Sequence, residues 1–186
     1  MIIEIIPNWH PVFVHFTVAL FSASTGLFIL GRLFNKREWA KAIIKAAHIN
    51  LWLGALATIA TVSAGLYAYN TVNHDGPSHM AMTDHKNWAF VTAALFTLVT
   101  LWSFKTFTRV KVGTTFLVVL IIATGILAVT AFKGGELVYR YGLGVMSMPQ
   151  SAGGHDDHGH VAGQEHVTLE DVQEVPVGHE GHDHAH

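Results

Sequence analysis

The residues able to do chemistry in this chain are its histidines, fourteen of them in a sequence without a single cysteine. The missing thiols remove disulfides, thiolate metal sites, iron–sulfur clusters and covalently attached c-type haem. Any metal or cofactor must therefore be held by imidazole, thioether, carboxylate or backbone. Two histidines sit in Asn8-Trp9-His10-Pro11-Val12-Phe13-Val14-His15-Phe16, at the mouth of the first long apolar segment. A second group, His74, His79 and His85, shares a short polar stretch with Met80 and Met82. His48 stands alone, and the other eight crowd Ser151–His186. An ionisable side chain just inside hydrocarbon is costly, so His15 is read first as a functional residue.

Haem b needs one or two neutral imidazoles as axial ligands and no cysteine. Two histidines on different helices at similar depth supply both, as in cofactor sites built between facing helices of a bundle. His15 and His85 are the leading pair, with His10 and His79 as substitutes. His10 and His15 are five residues apart and point about 140° from each other on a helix, so they are not expected to ligate one iron. His15 heads a stripe with Ala19, Ser22 and Gly26, His85 heads one with Ala89 and Thr92, and Gly54, Thr58, Thr61 and Gly65 form a third. Small residues at these spacings allow close helix packing in a membrane, or they leave room for a flat macrocycle. Arg140 is placed to meet haem propionates, and Tyr139 reads as an interfacial anchor.

Two other readings stay open. His74, His79, Met80 and Met82 mix imidazole and thioether, a soft set suited to Cu(I). The acid-rich tail offers His155, His158, His160, His179, His182, His184 and His186 to Cu, Zn or Ni. These two features define a Cu-, Zn- or Ni-handling membrane protein. A structural subunit without cofactor, its histidines packed against a partner, is the remaining alternative. Net charge is −2, which gives no case for nucleic acid. There is no catalytic carboxylate pair, nucleophile with base, or phosphate loop, so independent enzymatic activity is unsupported. The few charges in the spans and the lack of an inverted repeat argue against a conventional transporter.

The elements that must position these residues are four apolar segments. The chain is 51% hydrophobic and 13% charged, with mean hydropathy +0.37; soluble domains carry roughly 25% charged residues. About 20 apolar residues span a bilayer as helix, and spans are expected at about 12–34, 46–69, 85–104 and 112–132. The first is not a signal peptide, since Glu4 precedes it, no basic leader does, and the run is too long. Pro11 suits a first helical turn, Asn8 contributes to its cap, Thr83 or Asp84 caps the third span, and Gly134-Gly135 ends the fourth. His48 opens the second span at the opposite depth from the other span and loop histidines. It reads as an interfacial or hydrogen-bonded histidine.

The two connectors, with Arg32, hold eight of the eleven lysines and arginines. The positive-inside rule puts them in the cytoplasm and both termini outside. The expected architecture is an all-α, integral membrane four-helix bundle over residues 1–146, its outer side the periplasm if the membrane is a bacterial inner membrane. Residues 147–186, rich in His, Asp and Glu, are expected to be a disordered periplasmic tail.

The chain resembles the bacterial DUF2231 family of small membrane proteins over about residues 7–146. The resemblance rests on His10-Pro11-Val12-Phe13-Val14-His15-Phe16, on Asn70-Thr71-Val72-Asn73-His74-Asp75-Gly76, on Thr83-Asp84-His85, and on Gly134-Gly135-Glu136-Leu137-Val138-Tyr139-Arg140-Tyr141-Gly142-Leu143-Gly144-Val145. It implies a four-span membrane domain, in some members fused to Rieske or c-type cytochrome modules. That company implies electron transfer through b-type haem. The expected partners are lipid and a quinone, a periplasmic cytochrome or a larger respiratory complex, with self-association also open.

Overall fold

A computed structural model of the protein describes residues 8–107 and 112–144; the tail and its histidines lie outside the described residues. Four helices make up the fold: α1 (His10–Leu33), α2 (Ala40–Thr71), α3 (Gly76–Thr106) and α4 (Thr114–Tyr139). At 1.5 Å per residue, even α1, the shortest at 24 residues, reaches about 36 Å and exceeds a bilayer core of about 30 Å. All four are apolar enough to cross a membrane. Their outer faces carry Phe16, Leu56, Ile59, Leu98, Leu101, Ile122 and Phe132, as a lipid-facing surface requires.

Helix α1 packs against α2 and α4, and α3 against the same two, so α1 and α3 stand diagonally opposite. The interior is aromatic. Phe21 of α1 stacks on Phe96 of α3 with ring centroids 3.7 Å apart, and Phe28 meets Phe116 edge-on at 5.2 Å. Gly54 makes room for this stack, because a Cβ there would lie 2.7 Å from the Phe21 ring. Its stripe therefore serves close packing at this level. Threonine hydroxyls tie neighbouring helices together through Thr17–Thr61 at 2.8 Å, Thr25–Thr124 at 2.7 Å and Thr92–Thr130 at 2.7 Å. Such side-chain bonds between helices replace the hydrophobic driving force that lipid removes.

The ends of the helices depart from the sequence expectations, each for a local reason. Helix α3 begins nine residues before His85, not at it. Asp75 is the cap, its carboxylate accepting from the Ser78 N–H at 2.9 Å, and Pro77 occupies the first turn. Thr83 and Asp84 are interior positions, and the connection shrinks to residues 72–75. Helix α2 likewise starts at Ala40, six residues before the expected boundary. Helix α4 runs through Gly134-Gly135 and stops at Tyr139. The chain reverses where Gly142 takes a left-handed φ of 64°, and the Gly142 and Leu143 amides donate to the carbonyls of Val138 and Leu137. At the start of α1, Asn8 does contribute, its side chain accepting from the His10 N–H at 3.0 Å.

The Asp75 cap carries a pH prediction. Its bonds from Ser78 hold the carboxyl below the ordinary carboxylate range. A depressed folded-state pKa adds stability that is fully present above the ordinary value and is lost as pH falls through the folded one. Exchange at the Ser78 amide, taken relative to its intrinsic rate at each pH, should therefore accelerate on acidification through that window. In Asp75→Ala it should be fast at neutral pH already, with the acid-dependent step gone.

Candidate functional site

Two histidines meet inside the bundle at the end where α1 begins. His10, in the first turn of α1, leans on α2: its Nδ1 donates to the Thr61 carbonyl at 3.0 Å. This approach is open because residue 65 is glycine, where a Cβ would lie 2.9 Å from His10 Cε1 and Nδ1. His85, more than two turns into α3, leans on α4 in the same manner. A Cβ on Gly134 would lie 3.1 Å from its Cε1. Lys133, beside that glycine, donates to the carboxylate of Asp84 and so ties α3 to α4 next to the ring. One imidazole thus comes from each of the pairs α1–α2 and α3–α4. The two rings face each other with centroids 6.3 Å apart and planes at 77°.

Their nitrogens are not equivalent. With Nδ1 committed to the Thr61 carbonyl, His10 keeps the lone pair on Nε2, the tautomer assigned by its partner. His85 is placed likewise, its ring beside the Thr130 carbonyl of α4, with Nδ1 buried. Two imidazoles, one from each helix pair, thus meet inside one end of the bundle.

The leading sequence pair is corrected here. His15 is exposed on the outer side of α1, where its Nδ1 donates to the Pro11 carbonyl. The rest of its stripe, Ala19, Ser22 and Gly26, also faces out. The buried stripe of α1 is Thr17, Phe21, Ser24, Phe28 and Gly31, and His10 lies seven residues before Thr17, on the same face. In a membrane helix both faces are apolar, so small residues alone do not tell inside from outside. The α3 stripe does behave as expected, with Thr92 buried and His85 and Ala89 partly so. The structure brings His85 together with His10, not with His15.

The other candidates fall in three places. His79 and His74 pair with each other at the α2–α3 turn, with Nε2 of His74 and Nδ1 of His79 2.8 Å apart. Met80 is 76% exposed whereas Met82 is 8% exposed, so the two thioethers do not share one site with both histidines. Arg140 forms an i,i+4 pair with Glu136 at 2.6 Å, and Tyr139 is solvent- or lipid-facing. No group of three or more His, Cys, Asp or Glu side chains able to hold a metal ion occurs among the described residues. His48, at the far end, is fully buried against Phe28 and Phe107. Its Nδ1 donates to the Ile44 carbonyl at 2.8 Å, a hydrogen-bonded core histidine away from the pair.

Sequence reasoning missed Gly65 and Gly134 as the residues that seat the imidazoles. Their signal is positional, since each faces a histidine on the neighbouring helix. A valine at Gly65 should push the His10 ring off the Thr61 carbonyl. The hydrogen bond is worth about 1 kcal/mol and overpacking costs about 1–3 kcal/mol. Thermal unfolding in detergent should show that loss for Gly65→Val, and little change for Gly125→Ala, where a Cβ meets open space.

Fold and site together define a four-helix membrane protein with a histidine pair at one end of its bundle. Residues 7–147 match the family model described as a predicted membrane protein, DUF2231, and the chain belongs to that family. No curated protein and no solved structure matches it.

Proposed function

We propose that this protein binds haem b between His10 and His85 and passes electrons at the outer face of a bacterial inner membrane. The observation that carries the reading is the diagonal imidazole pair, each ring seated against a glycine of the neighbouring helix. His10 and His85 would hold the iron, one neutral imidazole coming from each helix pair. The two rings stand 6.3 Å apart, and the helix pairs would part to admit the macrocycle between them. A flat group held between the α1–α2 and α3–α4 pairs would be gripped from both faces. Bound there, haem would supply one-electron chemistry.

The chain's own residues account for the rest. The Thr61 carbonyl fixes the tautomer and orientation of His10, which raises its basicity as a ligand. Gly65 and Gly134 set how deep each ring sits. The Phe21–Phe96 stack closes the bundle below the pair and separates it from the basic end. That basic end holds Arg32, Lys36, Arg37, Lys41, Lys45 and Lys105, which supports the orientation with His10 and His85 toward the periplasm. The partner would then be a quinone, a periplasmic cytochrome or a larger respiratory complex.

The test is the purified full-length protein in mild detergent, with haem supply adequate during expression. Stoichiometric haem with sharp b-type bands in the reduced-minus-oxidised spectrum is expected. A colourless preparation sinks the proposal. Removal of residues 151–186 should leave those bands unchanged.

A further inference from the structure

The outermost histidines, His74 and His79, are absent from the haem reading, yet they form the tightest imidazole contact among the described residues. His74 sits in the four-residue turn and His79 in the first turn of α3. Their planes are parallel within 8°, with centroids 5.1 Å apart. A nitrogen–nitrogen distance of 2.8 Å is too short for rings stacked face to face. The rings therefore lie nearly in one plane, edge to edge, with the two nitrogens between them.

The hydrogen-bond partners assign every proton in this pair. His74 Nδ1 donates to the Val72 carbonyl at 2.6 Å, so its Nε2 carries a lone pair. The proton between the rings therefore belongs to His79 Nδ1, and His79 Nε2 is the other lone pair. Tyr69 lies beyond it, its hydroxyl 3.4 Å from His79 Nε2 and 2.9 Å from Thr83 Oγ1. Lys86 Nζ stands 3.8 Å over the Tyr69 ring, and Asp75 is committed to capping α3. Two collinear nitrogens share one proton, and no further His, Cys, Asp or Glu completes a metal-binding group among the described residues.

We infer that His74 and His79 form a two-coordinate site for Cu(I), with the metal in line between His74 Nε2 and His79 Nδ1. A filled-shell monovalent cation accepts two ligands in line, and copper binds imidazole well. Zn(II) demands four ligands in a tetrahedron and is disfavoured by the same geometry. Binding widens the nitrogen separation to roughly 4 Å, about 2 Å per bond. The short turn at residues 72–75, outside both helices, is the element that gives. The proton balance closes within the site. His79 changes tautomer, its proton passing from Nδ1 to Nε2, where the Tyr69 oxygen accepts it while the Tyr69 proton serves Thr83. No proton leaves at neutral pH.

The tail's eight histidines would compete for added metal, so the readout must be residue-resolved. Full-length protein with ¹⁵N-labelled histidine is titrated with Ag(I), a redox-inert stand-in, and with Cu(I) under anaerobic conditions. The expected result is joint movement of the His74 Nε2 and His79 Nδ1 resonances at the first equivalents, with silver–nitrogen coupling at both. Even loss of an outer-sphere partner costs 10–100-fold in metal affinity. His74→Asn or His79→Gln should therefore weaken Cu(I) binding at the remaining partner by at least about 100-fold. Both are surface substitutions that leave the bundle intact, and haem content at His10 and His85 should not change. The inference is overturned if the pair keeps its shared proton while only tail resonances shift. It is equally overturned if one ring responds alone, or if Zn(II) occupies the pair as readily as Ag(I).

Discussion

His10→Ala and His85→Ala should each abolish the b-type bands, whereas His15→Ala should leave them at wild-type height. This is the largest functional effect expected of any single substitution in the chain. The argument is geometric. His10 and His85 come from diagonal helices and meet at 6.3 Å, so each would supply one side of the proposed centre. Losing a partner outside the coordination sphere costs 10–100-fold in affinity, and losing a ligand costs at least about 100-fold. His15 faces out of the bundle, bonded to its own helix at Pro11. Haem content by pyridine haemochrome, with helicity by circular dichroism to establish folding, checks all three variants. Retention of haem by His10→Ala together with its loss in His15→Ala would reverse the ligand assignment.

Phe21→Ala should be the most damaging substitution away from the pair. Phe21 is 1% exposed, stacks on Phe96 at 3.7 Å and fills the space over Gly54. Its removal leaves a hole where α1, α2 and α3 converge. In soluble proteins such a truncation costs about 3–5 kcal/mol. In a bilayer the same hole forfeits the van der Waals packing that drives helix association. Unfolding in a detergent–denaturant titration should show the loss. Phe16→Ala, at an exposed position, should shift the midpoint far less.

The four spans were legible because twenty apolar residues in a row have few alternatives in water. The depth of the histidines was legible for the same reason. What the sequence hid was helix phase. On α1 the stripe His15, Ala19, Ser22, Gly26 suggested an inner face, but those positions point outward. The inner face is the one bearing Phe21 and Phe28, which interdigitate with Phe96 and Phe116. A lipid-facing surface and a packed interior are equally apolar, so polarity does not report phase there. The spacing His10, Thr17, Phe21, Ser24, Phe28 was the better signal, since it aligns hydroxyls and aromatics with a histidine. The start of α3 was hidden differently. Residues 76–84 look polar enough for a loop, yet Asp75-Gly76-Pro77 is a cap followed by a first-turn proline, and it starts a helix. That shift moves His85 from a helix end to the interior, where it can meet His10.

Electron paramagnetic resonance of the oxidised protein tests the central claim most directly. The imidazole planes of His10 and His85 stand at 77°, and two near-perpendicular imidazoles holding a ferric haem would give it a strongly anisotropic low-spin signal. That signal is the predicted result, lost in His10→Ala and His85→Ala alike. A preparation without haem, or one whose iron is high-spin with a single histidine ligand, would contradict the account.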